Sequence, residues 1–96
     1  MAIVRTFEAR GWSPTDYDEL IRRLAAQLDL APAKAAPGVL FHWTAATADG
    51  MRAVDVYESR EAADRLVSDA IGPIAGELGL ALPEINELEV HNYLAQ

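Results

Sequence analysis

The sequence has no cysteine. That excludes a disulfide framework, and it excludes thiolates as nucleophiles or metal ligands. Basic residues are scarce: eight lysines and arginines stand against fifteen aspartates and glutamates, for a net charge of −7. A nucleic-acid partner selects for a basic stripe that neutralises phosphates, and an anionic membrane surface selects for a polybasic segment. The densest basic cluster, Arg22-Arg23, follows Glu19 on the same expected helix. Nucleic acid and membrane are therefore not expected as partners, and solubility accounts for the acidity. No apolar run approaches the roughly 18 residues that cross a bilayer. The start of the chain, Met1-Ala-Ile-Val-Arg-Thr-Phe-Glu, lacks the basic region and apolar run of a secretory leader, so a cytoplasmic location is expected. A phosphate-binding loop is also missing, because Gly72-Pro-Ile-Ala-Gly76 has no P-loop lysine.

What is present suits one domain, residues 1–96. The 96 residues are 51% apolar, enough for a modest core and too apolar for a disordered chain. Residues 2–8 alternate as a first strand. Ser13-Pro-Thr-Asp16 is a helix start: Ser13 as cap, Pro14 in the first position, Asp16 completing a capping box. Tyr17, Leu20, Ile21, Leu24 and Leu28 form one apolar stripe, and Pro32 is expected to end it. Val39–Ala45 reads as a second strand, Thr47-Ala-Asp-Gly50 as a turn, and Met51–Tyr57 as a third strand closing a hairpin. Ser59 caps a second helix with Ala62, Ala63, Leu66, Val67, Ala70 and Ile71 as its stripe. Gly72-Pro73 should break or bend it, with a further helical piece to Leu78. The last strand is expected from Ile85 to Leu94.

The order strand, helix, strand, strand, helix, strand makes two β-α-β halves. Right-handed crossovers place both helices on one face of a four-stranded antiparallel sheet, an α+β ferredoxin-like fold. The other face is then uncovered, and it is not uniformly polar. A second copy of the chain is the simplest cover.

Strand parity sorts the side chains between the two faces. Leu88, Val90 and Leu94 are expected under the helices, with His91 and Tyr93 opposite. Val54 and Val56 are expected under the helices, with Met51, Ala53, Asp55 and Tyr57 opposite. Packing the bulkier set of the second strand (Val39, Phe41, Trp43) under the helices turns His42 to the open side. The first strand is ambiguous: Ile3, Arg5 and Phe7 share one face, Val4, Thr6 and Glu8 the other. Both histidines, Asp55, Tyr57 and Tyr93 thus converge on one face. A carboxylate beside an imidazole fixes its tautomer and raises its basicity. His42 and Asp55 fit an acid/base pair, with His91 assisting, or a hydrogen-bonded dimer interface that satisfies a buried Asp. Tyr57 and Tyr93 read as cavity wall and Tyr17 as core or pocket lid. His42, Asp55 and His91 have the ligand types of a metal site but no supporting spacing, and no metal is expected. Ser59 is a cap, and Glu87 and Glu89 are expected on a solvated strand edge.

Ala53-Val-Asp-Val-Tyr-Glu-Ser59, followed by Arg-Glu-Ala-Ala, resembles a signature of the dimeric α/β-barrel proteins, among them the antibiotic-biosynthesis-monooxygenase group. Gly38-Val-Leu-Phe-His-Trp43, Asp49-Gly50 and Val90-His-Asn-Tyr-Leu94 are similar to small actinobacterial members. The resemblance implies a homodimeric α/β barrel with a pocket for a small-molecule, aromatic substrate. Members include cofactor-free oxygenases of polyketide quinones, cyclases, isomerases, decarboxylases, haem-degrading enzymes and proteins without known chemistry. Haem degradation is disfavoured: the first strand lacks the family asparagine, and Arg65 and Ala75 stand where that branch has tryptophan and histidine. Tyr57 replaces the signature tryptophan and adds a hydroxyl able to bind a substrate oxygen. The resemblance points to an enzyme of secondary metabolism, either a cofactor-free monooxygenase or a proton-transfer cyclase or isomerase. In that reading His42, Asp55 and His91 handle protons, and Trp43, Tyr57, Tyr93 and Tyr17 contact the substrate. The competing reading is a non-catalytic ligand-binding or stress-associated dimer.

Overall fold

In the computed structural model, which describes residues 1–31 and 34–94, strand β1 (Ile3–Arg10) alternates strictly between buried and partly exposed positions. Ile3, Arg5, Phe7 and Ala9 point inward and Val4, Thr6 and Glu8 outward. Helix α1 (Pro14–Leu28) starts at the expected capping box. Ser13 Oγ accepts from the Asp16 backbone, and the Asp16 carboxylate accepts from the Ser13 backbone. Pro32 lies outside the described residues. The helix ends before it, at Asp29, which takes the left-handed conformation with φ 53°, tolerable for an aspartate.

Strands β2 (Val39–Ala46) and β3 (Gly50–Tyr57) form the expected hairpin. Gly50 sits so close to β1 that a Cβ would lie 2.2 Å from the Ala9 carbonyl oxygen, so only glycine fits there. Beyond Ser59, whose hydroxyl accepts from the Ala62 amide, α2 (Arg60–Leu66) continues through a π-helical turn, Val67–Ile71, into α3 (Gly72–Glu77). Gly72-Pro73 therefore does not break the helix. Proline cannot donate to the carbonyl four residues back. Here that carbonyl, of Asp69, accepts instead from Gln27 Nε2 of α1 at 3.2 Å, and the π turn absorbs the misfit.

Strand β4 (Glu84–Glu89) is shorter than expected. Its partner β1 begins at Ile3, which pairs with Glu89, so little backbone remains to pair beyond it. A last bond runs from the Val90 amide to the Ala2 carbonyl. The four strands are antiparallel in the order β2-β3-β1-β4, with the helices on one face. This is the α+β ferredoxin-like arrangement. The core between sheet and helices holds Ile3, Trp12, Leu20, Leu24, Tyr57 and Ile74. Ala62, Ala63, Ala70 and Ala75 are buried on the helices and let them lie close to the sheet. Among the described residues, no helix is long and apolar enough to cross a membrane.

The strand faces are the reverse of those read from side-chain bulk. Arg5 is paired across the sheet with Asp55 and with Glu87. It reaches Asp64 of α2 at 2.6 Å, so this row lies under the helices. Met51, Ala53, Asp55 and Tyr57 are consequently inside, while Val54, Val56 and Leu88 are on the outer face, where Val56 is nevertheless buried. Phe41 and Trp43, opposite Val56 and Val54, are outside too. Polar side chains are admitted to the inner face because each has a partner there, and unpaired burial is the costly case. Parity cannot show such partners, since they come from other strands and helices.

The second strand adds a separate reason. Val39 pairs with Tyr57, but Phe41 pairs with Val56, leaving Leu40 as a bulge. In a regular ladder the residue opposite Asp55 would be Phe41, and His42 would face outward. The extra residue moves His42 opposite Asp55, a recurrent use of bulges to re-aim a side chain.

Candidate functional site

A cavity of about 70 Å³ lies between the inner face of the sheet and α1. Phe7, Trp12, Leu20, Ile21, Met51 and Ile71 make most of its wall. Polar groups enter it from β2, β3 and α1: His42, Thr44, Asp55 and Tyr17. Trp12 is fixed by its indole N–H, which donates to the Ala81 carbonyl at 2.8 Å.

Four side chains form one hydrogen-bonded series. The Tyr57 hydroxyl donates to Asp55 Oδ2 at 2.6 Å. Asp55 Oδ1 bonds to His42 Nδ1. His42 Nε2 bonds to the Tyr17 hydroxyl at 2.6 Å. A carboxylate can only accept, so Nδ1 carries the proton and Nε2 presents its lone pair to the Tyr17 O–H. The Tyr17 and His42 rings lie within 7° of parallel, with centroids 6.1 Å apart. Asp55 is 6% exposed and Tyr57 fully buried, whereas the His42 side chain is 33% exposed. The series thus runs from the core to the cavity mouth.

Burial and the nearby Asp55 and Asp18 push the Tyr17 hydroxyl up to about 12. Burial, then Asp55, pushes Tyr57 further up. Both phenols therefore remain donors at ordinary pH. No buried side-chain polar atom among the described residues lacks a partner.

Of the residues singled out from the sequence, His42, Asp55, Tyr57 and Tyr17 are brought together, as expected of the first three. They meet under the helices and not on the open face. Tyr57 does not offer its hydroxyl to a substrate, because that hydroxyl is fully buried and bonded to Asp55. Trp43 lies on the outer face and is 40% exposed, since the bulge puts it one residue out of phase with Val39. His91 and Tyr93 lie beyond the end of β4, both exposed. Among the described residues, no three His, Asp or Glu side chains are grouped to hold a metal ion, so His91 does not join His42 and Asp55. Glu87 is not a free edge residue: it receives Arg5 and Arg60. The bond from Tyr17 to His42 had no signal in the sequence beyond Tyr17 heading an apolar stripe.

Nearly the whole chain is matched by solved structures. A variant of SnoaB, a cofactor-independent oxygenase from Streptomyces nogalater, is 21% identical, with 99% of this chain and 96% of that one covered and a TM-score of 0.58. A candidate antibiotic biosynthesis monooxygenase from Chloroflexus aurantiacus J-10-fl is 20% identical over 99% and 98% of the two chains, with a TM-score of 0.65. The fold is that of the antibiotic-biosynthesis-monooxygenase-like structures. Rv0793 from Mycobacterium tuberculosis is similar in fold at 22% identity, 98% and 97% coverage and a TM-score of 0.54. The sequence matches no family model and no curated protein.

Proposed function

We propose that the cavity is a cofactor-free site in which His42 removes a proton from a hydroxylated or enolisable aromatic molecule, with a polyketide-like compound of secondary metabolism as the natural class. The Tyr17–His42–Asp55–Tyr57 series inside an apolar wall carries this reading. Asp55 holds the Nδ1–H tautomer and offsets the charge that His42 gains, and Tyr57 holds Asp55. His42 Nε2 is the one atom of the series placed to take a substrate proton. The dry wall then shields the substrate anion from water.

Two reactions follow from such an anion. Without oxygen, return of the proton at another carbon gives isomerisation or cyclisation. With oxygen, a deprotonated ring CH₂ gives its electron pair to O₂ and takes up a proton as a hydroperoxide. Loss of water then leaves a carbonyl, with one oxygen atom in the product and one in water. The substrate supplies all the electrons. The likeness in fold to SnoaB supports the oxygenase form.

A homodimer completes this reading. Phe41, Trp43 and Leu88 stand 43%, 40% and 72% exposed on the outer face, beside Val54 and Val56, and a second copy would cover them. A non-catalytic binding protein is the second reading, favoured by one observation: Tyr17 already occupies His42 Nε2. Oxygen uptake with a panel of phenols and polyketide quinols separates the two. Uptake that is lost in His42→Ala is the expected result. Retained uptake in that variant removes His42 as the base, and binding without turnover of any kind leaves the second reading.

A further inference from the structure

The cavity as it stands is too small for an aromatic ring. At about 70 Å³ it has less than half the volume of the roughly 150 Å³ apolar cavity that takes benzene. His42 is blocked as well, because its one lone-pair nitrogen already accepts the Tyr17 hydroxyl at 2.6 Å. Both obstacles are the same side chain. Tyr17 is a phenol that lines the cavity together with Leu20, Ile21 and the other apolar groups of the wall, and whose hydroxyl sits on His42 Nε2.

We propose that Tyr17 is an internal stand-in for the ligand, and that the cavity takes a single-ring phenol in its place. The inference rests on the reading of the cavity as a small-molecule site and names what that site selects. Tyr17 lies in the first turn of α1, half-buried at the cavity mouth. A rotation of its side chain toward solvent leaves the helix intact and opens room for one ring. The same rotation frees Nε2 for the hydroxyl of the incoming ring. Rings fused to a second ring need more space than this one displacement creates, so phenols and hydroquinones of one ring are the class favoured.

The test uses phenol, toluene and 4-nitrophenol with wild type, Tyr17→Ala and Tyr17→Phe. Tyr17→Ala is expected to bind 4-nitrophenol at least tenfold more tightly than wild type, and its melting temperature is expected to rise more with phenol than with toluene. Adding His42→Gln to Tyr17→Ala is expected to erase the preference for phenol. Equal response to phenol and toluene overturns the inference, since any apolar hole would then explain binding. Weaker binding by Tyr17→Ala than by wild type also overturns it, because Tyr17 would then be a ligand contact and not a plug. Should Tyr17→Ala fail to fold, Tyr17→Phe keeps the ring and loses only the bond to Nε2. A several-fold gain in 4-nitrophenol affinity is expected from it, and no gain overturns the proposal. A phenol preference without oxygen uptake overturns the oxygenase reading alone. Uptake with quinols and no phenol preference in the Tyr17 variants overturns this inference alone.

Discussion

Tyr57 gives its hydroxyl hydrogen to Asp55 Oδ2 at 2.6 Å from a position with no solvent exposure. The bond spans two residues of one strand, so both side chains lie on the inner face of β3, and it anchors the carboxylate that fixes His42. Tyr57→Phe leaves the ring packed and a buried carboxylate oxygen unpaired. A loss of about 1–3 kcal/mol is expected from such a group, measured by denaturant unfolding. Because Tyr57 acts on His42 only through Asp55, the same variant is expected to shift the pH profile of any activity found. Unchanged stability and an unchanged profile would remove Tyr57 from the series.

Leu40 makes a different prediction. It is the unpaired residue of the β2 bulge and is 42% exposed, so deleting it removes little core. Deletion is expected to make the ladder regular and to keep His42 opposite Asp55, because Phe41 then follows Val39 directly and stays opposite Val56. The observable is the His42 ring in a proton NMR spectrum, which should keep its contact with Tyr17 while the core resonances persist. Loss of the Tyr17 contact would show that Leu40 does more than shift the register by one residue.

The tyrosines give a spectroscopic check. Tyr17 is raised from 10.0 to about 12 by burial first and then by acidic neighbours, and Tyr57 is raised as well. A raised pKa means that the folded state favours the protonated form. That contribution is complete below pH 10 and is lost as pH climbs through about 12. Absorbance of tyrosinate is expected to show neither residue ionised at pH 10, and Tyr17→Phe should remove one late-titrating group.

Acid acts through the opposite sign. Bonds from Arg60 and then Arg5 hold the Glu87 carboxyl below its ordinary 4.5, and Arg22 and Arg23 hold Glu19 at about 2. These carboxylates contribute stability above pH 4.5, and it is lost as pH falls toward 2. The melting temperature is expected to drop between those values, and less steeply in Arg60→Gln. A stronger perturbation is Arg5→Met, which removes a buried guanidinium bonded to Asp64 and Glu87. It is expected to cost about 1.5–3 kcal/mol, the range for hydrogen bonds to charged groups, by freeing β4 from α2.

The outer face supplies the last test. Trp43→Glu places a charge among Phe41, Val54 and Val56, on the face of the sheet opposite the series of polar residues. Native mass measurement is expected to give a dimer for wild type and a monomer for this variant. A monomeric wild type overturns the proposed assembly.

The local periodicities determined the elements. Ser13-Pro-Thr-Asp16 and Ser59 started helices where expected, Asp49-Gly50 turned the hairpin, and element order with right-handed crossovers led to the ferredoxin-like arrangement. These are short-range effects, settled by caps, turns and spacing within a few residues. The sequence also determined that His42, Asp55 and Tyr57 share a face, apart from the bulge that His42 needed. Only the tertiary structure decided which face that is. The choice rests on Arg5 finding Asp64 and Glu87, and on Asp55 finding His42 and Tyr57, across strands and helices far apart in the chain. Hydrophobic bulk misplaces Trp43 and Phe41 because an apolar side chain is stable against any apolar cover, whereas a buried charge is stable only beside its partner. His91 and Tyr93 fell outside the site for a still simpler reason: β4 ends where β1 runs out of backbone to pair with it.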